Sequence, residues 1–189
     1  YGSYMKQLDD FVMLLPSVIS KAECESTVNE LESMVFNKVG CEDCTTDCDT
    51  MLLGREEAVS TNQLIMDAIW EGVRKYVTKF GVKTGFETWE GFTNIKWNKY
   101  VEGKSMDTHV DHVHSIFENM LDTPKGIPVI SIVGLLNDEF DGGEFQLFDD
   151  TTINLKAGDL LLFPSNFLYP HRVLPVTKGV RHSYVSWAY

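Results

Sequence analysis

Residues 128–136 of the chain are Pro128-Val-Ile-Ser-Ile-Val-Gly-Leu-Leu136. This run is short, rich in β-branched residues and followed by a polar turn, which is typical of a buried strand. Six similar β-branched or aromatic runs accompany it, at residues 92–101, 143–148, 151–155, 159–163, 171–174 and 180–187. A series of short strands separated by Gly, Asp, Asn and Pro turns predicts an antiparallel sandwich or jelly roll.

Two helices are expected before this series. Ser20 followed by Glu23 is a capping-box pattern, and it predicts a helix from Lys21 to about Phe36. Its apolar face would carry Ala22, Val28, Leu31 and Val35, with Cys24 as a small core residue. A second helix is predicted from Ser60 or Thr61 to Phe80, with Gly81 as its C-terminal stop. Residues 10–19 suggest a short buried strand ahead of both.

The predicted fold class is therefore α+β. Two or more helices pack on one face of a double-stranded β-helix, the cupin-like form of the jelly roll. The turns at Asp141-Gly-Gly143 and Lys156-Ala-Gly-Asp159 contain the glycines that tight connections need. The length of 189 residues fits one domain. Within it we expect mainly helical support at 1–91 and the jelly-roll core, with the candidate site, at 92–189.

Composition narrows the choice of partners. The formal net charge is −12, and no run of Lys or Arg is dense enough to bind phosphates in a row, which argues against nucleic acid. An acidic surface suits a basic peptide better. No apolar run approaches the ~20 residues that cross a bilayer, and the first residues are too polar for a signal peptide. We therefore expect a cytoplasmic protein without a membrane partner.

Residues 40–54 form a predicted polar loop that holds most of the cysteines. Cys41, Cys44 and Cys48 have C-x2-C-x3-C spacing, which would hold zinc only with a fourth ligand from elsewhere. Reduced thiols in a mobile acidic loop are the simpler interpretation, since disulfides are rare in the cytosol. The loop from 40 to 60 is long enough to act as a lid or a binding loop.

Three residues suggest a metal site. His109 and Asp111 form a His-x-Asp pair, and on a strand residues i and i+2 point the same way, so both can ligate one ion. His171 follows later in the chain, and two imidazoles with one carboxylate are the facial triad of non-haem Fe(II) oxygenases. Arg181, ten residues further, is suited to anchor an acid.

Further segments surround these residues in a fixed order. They are Lys99-Tyr100-Val-Glu-Gly103, Leu136-Asn-Asp-Glu-Phe-Asp-Gly-Gly-Glu144, Gly158-Asp-Leu-Leu-Leu-Phe163, His171-Arg-Val-Leu-Pro-Val176 and Gly179-Val-Arg181-His-Ser-Tyr-Val-Ser-Trp187. In this order and spacing, the sequence resembles a 2-oxoglutarate- and Fe(II)-dependent dioxygenase of the prolyl 4-hydroxylase type. The amino-terminal Leu15-Pro-Ser-Val-Ile-Ser-Lys-Ala-Glu-Cys24 is also similar to the segment that opens the family's first helix.

The resemblance implies a role for each candidate residue. His109, Asp111 and His171 would ligate Fe(II), and Arg181 would bind the 5-carboxylate of 2-oxoglutarate. Tyr100 corresponds to a family tyrosine that hydrogen-bonds the cosubstrate. If the last strand is regular, period two places Ser183 beside Arg181 as a hydroxyl contact and Trp187 as a wall. Val173 and Phe145 would supply apolar lining. Dioxygen is the second cosubstrate, and ascorbate is a candidate reductant.

Several residues have simpler alternatives. His112 and His114 lie close to the His-x-Asp pair and are competing ligands, although His112 has the wrong parity relative to Asp111. His182 should point outward to solvent. Tyr100 and Trp187 would be ordinary core aromatics without the resemblance. Surface or packing roles are expected for Arg55, Trp97 and Tyr169, and a solvated acidic turn for residues 137–141.

One position departs from the family pattern. Leu135 stands where some peptide-modifying relatives carry a tyrosine, so one cosubstrate hydrogen bond is lost. Ser131, Ser183 and Tyr100 are the candidates to replace it. The metal ligands are unaffected by this change.

The resemblance implies hydroxylation of an unactivated C–H bond with release of succinate and CO2. The first hypothesis is a prolyl hydroxylase that acts on a peptide or protein. The second keeps the chemistry but changes the substrate to a free amino acid or small metabolite, since fold and ligands do not determine what is oxidised. The third is a jelly roll that only binds a metal or ligand. Nucleobase oxidation is disfavoured by the acidic charge.

Overall fold

The structure is a computed structural model that describes residues 7–34, 37–39, 46–52, 59–84, 89–111 and 127–189. A short 3-10 helix spans Leu8–Phe11, and the two α-helices are α1 (Lys21–Glu32) and α2 (Val59–Thr84). The strands are β1 (Met13–Leu15), β2 (Asn37–Val39), β3 (Thr46–Leu52), β4 (Lys96–Tyr100), β5 (Ser105–His109), β6 (Ile130–Leu135), β7 (Asp141–Gly142), β8 (Phe145–Leu147), β9 (Thr151–Ile153), β10 (Leu160–Pro164), β11 (His171–Val173), β12 (Val176–Lys178) and β13 (Arg181–Ala188).

Most of the strands form two antiparallel sheets that share one member, while β7 and β12 form a separate two-stranded pair. The larger sheet has the order β1-β10-β6-β13-β4-β3, and the smaller one has the order β3-β5-β11-β8-β9. Strand β3 pairs with β4 through residues 49–52 and with β5 through residues 46–47, so it passes from one sheet to the other. Apolar side chains of both sheets meet between them, among them Leu135, Phe163 and Val173. This double-stranded β-helix confirms the predicted fold class.

The larger sheet separates two apolar layers. Its outer face packs against the helices, where Ile65, Ile69 and Val73 of α2 meet Leu160 and Leu162 of β10. Its inner face meets the smaller sheet. Because side chains alternate along a strand, β13 contributes residues to both layers. A register slip of one residue would move the residues of each layer into the other.

Gly134 of β6 is required by this packing. A Cβ at this position would collide with the ring of Tyr184, which lies over it from β13. The fully buried Tyr184 ring in turn packs against Trp97 of β4, with ring centroids 5.8 Å apart. Trp97 therefore has the packing role that the sequence suggests.

Helix α1 begins where its capping box predicts. The backbone N–H of Glu23 donates to Ser20 Oγ at 3.2 Å, and the Ser20 N–H donates to Glu23 Oε2 at 2.7 Å. Cys24 is buried as predicted, but the helix ends at Glu32 rather than near Phe36. Ala22 is exposed, so its predicted place on the buried face is wrong. Thr27 takes a buried position beside Leu31.

Other boundaries also differ from the predictions. Helix α2 continues through Gly81 to Thr84, so the glycine does not stop it. The predicted polar loop at 40–54 is wrong for its second half, since residues 46–52 are β3 and Cys48 is 3% exposed. Cys41 and Cys44 lie outside the described residues, as do residues 40–45 and 53–58 of the loop from 40 to 60 that was expected to act as a lid or binding loop. Residues 105–109 and 176–178 are strands that the periodicity did not predict.

Within the described ranges, neither helix combines the length and the hydropathy required to cross a membrane.

Candidate active site

His109, Asp111 and His171 come together at one point between the sheets. His109 is the last residue of β5, Asp111 lies two residues beyond it, and His171 opens β11 directly opposite His109. Asp111 Oδ1 is 3.7 Å from His109 Nε2, and Asp111 Oδ2 is 3.6 Å from His171 Nε2. One ligand atom from each residue lies within 4.8 Å of the others, as the sequence predicts.

The two imidazoles are oriented by backbone carbonyls. His109 Nδ1 lies 2.8 Å from the Asp107 carbonyl oxygen, and His171 Nδ1 lies 3.1 Å from that of Tyr169. Because a carbonyl only accepts, each Nδ1 carries the proton and each Nε2 presents a lone pair to the cluster. This is the tautomer that a metal ligand needs, with its second hydrogen bond already made.

The carboxylate of Asp111 is held from the opposite sheet. Ser131 Oγ of β6 donates to Asp111 Oδ2 at 2.8 Å, and Ser165 Oγ donates to the Asp111 carbonyl oxygen at 3.0 Å. The hydroxyl proton of Ser131 is thereby committed to the carboxylate, and its expected role as a replacement cosubstrate contact stays a prediction. Neither serine was predicted to support the ligands.

Burial keeps His171 neutral. It lowers the pKa of this imidazole, and the nearby His109 acts in the same direction, whereas Asp111 opposes both. The ring is stacked on Phe145 at 5.5 Å and meets the edge of Phe163 at 5.1 Å between centroids. A neutral, sterically fixed imidazole is suited to bind a cation through Nε2.

Arg181 is a buried cation without an acidic partner in the described part of the chain. Its side chain is 1% exposed, and its Nη1 donates to Ser183 Oγ at 2.7 Å. The guanidinium carbon lies 5.2 Å from the Tyr100 ring centroid, and Nε has no hydrogen-bond partner. Burial lowers the pKa of Arg181, since the charge is unfavourable here. An anionic ligand with two oxygens would balance the buried charge and accept a hydrogen bond from Nε.

A cavity of about 170 Å³ joins the cluster to Arg181. All nine predicted site residues line it, and they are His109, Asp111, His171, Arg181, Tyr100, Ser183, Trp187, Val173 and Phe145. The predicted face of the last strand is correct, because Arg181, Ser183, Val185 and Trp187 all reach the cavity. The individual roles assigned to these residues stay predictions.

Sequence reasoning missed part of the lining. Lys96, Asn98 and Met106 also face the cavity. Lys96 and Asn98 precede Tyr100 on β4 at positions i−4 and i−2, so the period-two argument used for β13 would have found them.

The prediction for His182 is wrong. It is 5% exposed and lies on the helix side of β13, where Nε2 is 2.6 Å from Glu32 Oε1 of α1. Glu32 also accepts from Lys99 Nζ at 2.6 Å, and this carboxylate supplies the polar contact that allows a histidine in that layer. The competing ligands His112 and His114 lie outside the described residues, as does Arg55. Tyr169 has a packing role, and its hydroxyl donates to the Leu8 carbonyl.

Comparison with known proteins identifies the class. The family model described as the 2OG-Fe(II) oxygenase superfamily matches residues 95–189, which is half of the chain. The chain therefore belongs to the 2OG-Fe(II) oxygenase superfamily, whose cofactors are Fe(II), 2-oxoglutarate and dioxygen. The ligand cluster and the unpaired Arg181 fit an iron ion and an acidic cosubstrate, respectively.

Individual relatives narrow the comparison. A PKHD-type hydroxylase of Teredinibacter turnerae is 36% identical over 95 residues, which are 49% of this chain and 41% of the relative. The chain thus spans about two fifths of the length of such relatives. The collagen prolyl hydroxylase of Paramecium bursaria Chlorella virus-1, in its 2OG complex, superposes with a TM-score of 0.69 at 17% identity, covering 94% of this chain and 95% of the other.

A third similar protein is a prolyl hydroxylase from Trichoplax adhaerens. Its structure, in complex with a hypoxia inducible factor oxygen degradation domain peptide fragment, superposes with a TM-score of 0.70 at 17% identity, covering 94% of this chain and 83% of the other. At these identities the two structures show a common fold. Together with the family match and the PKHD-type relatives, they confirm the resemblance to the prolyl 4-hydroxylase type.

Proposed function

We propose that the chain is a 2-oxoglutarate- and Fe(II)-dependent dioxygenase that hydroxylates an unactivated C–H bond and releases succinate and CO2. One observation carries this proposal: a three-ligand cluster and a buried, unpaired guanidinium line one cavity. A metal site alone would not need the buried guanidinium. An acid-binding pocket alone would not need the three-ligand cluster.

The cluster would hold iron through His109 Nε2, His171 Nε2 and an Asp111 carboxylate oxygen. When bound, the iron supplies the oxidising chemistry together with dioxygen and 2-oxoglutarate. The protein's own contribution is orientation: the Asp107 and Tyr169 carbonyls fix both imidazole rings, and Ser131 fixes the carboxylate. Such supporting contacts raise metal affinity because the ligands need no rearrangement.

Arg181 would bind the distal carboxylate of the cosubstrate. Its planar fork can make two charge-assisted hydrogen bonds, and Ser183 Oγ is positioned to add a contact. Burial raises the pKa of Tyr100, so its hydroxyl remains a hydrogen-bond donor at neutral pH. Phe145 and Val173 supply apolar lining to the same cavity.

The proposed substrate is a prolyl residue in a peptide or protein. Support comes from the prolyl 4-hydroxylase resemblance and from the Trichoplax adhaerens neighbour, whose structure contains a peptide fragment. A free amino acid or small metabolite is the alternative, and the cationic side chain of Lys96 in the cavity suits one that carries an acid group.

The test supplies the purified protein with Fe(II), 2-oxoglutarate and ascorbate. We expect succinate release, together with a mass gain of one oxygen on a proline-containing peptide. His109→Ala should abolish both, because it removes a ligand. His112→Ala removes the competing ligand and should retain activity. Full succinate release by His109→Ala would show that the ligand set is misplaced, and no succinate from the wild type would refute the function.

A further inference from the structure

Lys96 is a cation inside the barrel that the proposed chemistry does not use. It lies on β4 in alternation with Asn98 and Tyr100, and all three line the cavity. Among the described residues, no carboxylate forms an ion pair with Lys96.

The strand register gives the position of Lys96 along the cavity, between the Arg181 end and the end with the candidate metal site. Across from β4, Arg181 pairs with Tyr100, and Val185 pairs with Lys96. Successive residues on one face are about 6.8 Å apart, so Lys96 lies roughly 13 Å along the strands from the Arg181 level. Trp187 is the next inward residue of β13 and pairs with Ser131, which holds Asp111. Lys96 therefore lies at the metal end of the cavity.

The charges of the proposed complex balance without Lys96. A ferrous ion and Arg181 carry three positive charges, and Asp111 with the two carboxylates of 2-oxoglutarate carries three negative ones. The half-buried Lys96 side chain then adds one positive charge to the cavity that this complex does not balance. One further anion would restore neutrality.

Asn98 supplies a second, independent indication of a ligand. It is 2% exposed, it faces the cavity one step from Lys96, and its Oδ1 has no hydrogen-bond partner. Buried amides are almost always hydrogen-bonded, so an unsatisfied one that faces a cavity indicates a polar ligand. Lys96 and Asn98 together form a polar strip suited to an acid that carries a second polar group.

We propose that Lys96 binds a carboxylate of the oxidised substrate, and that Asn98 bonds a neighbouring polar group of the same molecule. The substrate class is therefore a carboxylic acid, whose acid group is either a free carboxylate or an Asp or Glu side chain beside the target carbon. This inference rests on the proposed function, because it assumes that 2-oxoglutarate occupies the Arg181 end.

The test measures binding without turnover. Protein loaded with Mn(II) and 2-oxoglutarate is titrated calorimetrically with probe pairs that differ only in an acid: N-acetylproline against N-acetylprolinamide, and the peptide Gly-Pro-Asp against Gly-Pro-Asn. Losing one charge-assisted bond of ~1.5–3 kcal/mol changes affinity by about 10- to 100-fold. Within at least one pair, the wild type should prefer the acid by this factor, and the pair that shows the preference identifies the source of the carboxylate.

Substitutions assign the preference to Lys96. Lys96→Met keeps most of the side-chain volume and should abolish the preference, as should Lys96→Gln. Lys96→Arg should retain it. Lys178→Met makes the same change of net charge at an exposed position and should leave the preference intact. Thermal unfolding of each variant confirms that it is folded.

Three outcomes would overturn the inference: no acid probe binds at millimolar concentration, acids and amides bind equally, or the preference survives in Lys96→Met. A fourth is that Lys96→Met weakens 2-oxoglutarate binding but not the probes, which would assign Lys96 to the cosubstrate. Failure of the proposed function gives a different result, since 2-oxoglutarate itself would not bind the Mn(II)-loaded wild type.

Discussion

Single hydrogen bonds determine what the site residues can do. Each imidazole of the candidate metal site has its Nδ1 proton committed to a carbonyl, so Nε2 is available without rotation of the ring. The carboxylate of Asp111 is held in the same way by Ser131. At the other end of the cavity, the charge of Arg181 is buried without an acidic partner among the described residues, so this side chain is available to an anion.

Ser131→Ala should weaken metal binding without abolishing it. Losing the hydrogen bond to Asp111 Oδ2 frees the carboxylate to rotate, and supporting contacts of this kind are worth about 10- to 100-fold in affinity. The measurement is an anaerobic Fe(II) titration. Ser186→Ala is the control, since it removes an equally buried hydroxyl that bonds the Thr93 carbonyl on the helix side. Equal affinities in both variants would contradict the role of Ser131.

Arg181→Met should separate cosubstrate binding from metal binding. The KM for 2-oxoglutarate should rise by at least about 10-fold, because two charge-assisted hydrogen bonds are lost, while the Fe(II) affinity stays unchanged. The ligand-free variant should also unfold at a higher temperature, since an unpaired buried charge is replaced by an apolar side chain. An unaltered 2-oxoglutarate requirement would contradict the assignment.

At the scale of elements, the C-terminal end of α1 is attached to the outer face of the larger sheet by Glu32. This carboxylate accepts from Lys99 of β4 and contacts His182 of β13, each at 2.6 Å. Burial raises the pKa of Glu32, but the hydrogen bonds to Lys99 and His182 outweigh it, and the pKa is lowered. The pKa of His182 is lowered by burial, which outweighs the contact with Glu32.

Both shifts predict that the ligand-free protein loses stability on acidification. An unfolded chain protonates His182 near its ordinary pKa of 6.5, while the folded chain resists, so stability falls as pH drops below about 6.5. Glu32 causes a second loss of stability at lower pH. This loss begins below its ordinary pKa of 4.5 and continues as the pH approaches its lowered pKa in the folded protein. Denaturant unfolding of wild type and His182→Gln from pH 8 to 5 tests this. The difference between them should shrink with acidification, and a constant difference would refute the prediction.

At the scale of the whole molecule, the cavity that joins the candidate metal site to Arg181 lies between the two sheets, so ligands bound there should stabilise the entire fold. Binding at 100 times Kd contributes about 2.7 kcal/mol, which for a chain of this size corresponds to roughly 5–10 °C in Tm. Mn(II) with 2-oxoglutarate should give this shift in a melting experiment. Glutarate has both carboxylates but lacks the keto oxygen, so it should give a smaller one. Equal shifts would argue against chelation.

The sequence predicts the barrel because its strands are apolar with turns between them. It does not predict β3, whose Thr46-Asp-Cys-Asp-Thr50 segment has no hydrophobic period and becomes a strand only by pairing with β4 and β5. Likewise, His182 is buried because Glu32 is nearby in space, although it is 150 positions away in sequence. The pairing of His109 with Asp111 was predictable, since parity and residue type are local properties, whereas the place of His171 beside them was expected only from the resemblance.

The register of β4 has a consequence for how the chain tolerates insertions. One face of this strand presents Lys96, Asn98 and Tyr100 to the cavity, while the other presents Trp97 and Lys99 to the helix layer. Inserting or deleting a single residue inside β4 would move all residues on one side of the change to the opposite face of the strand. Length changes within β4 should therefore be far more damaging than substitutions there.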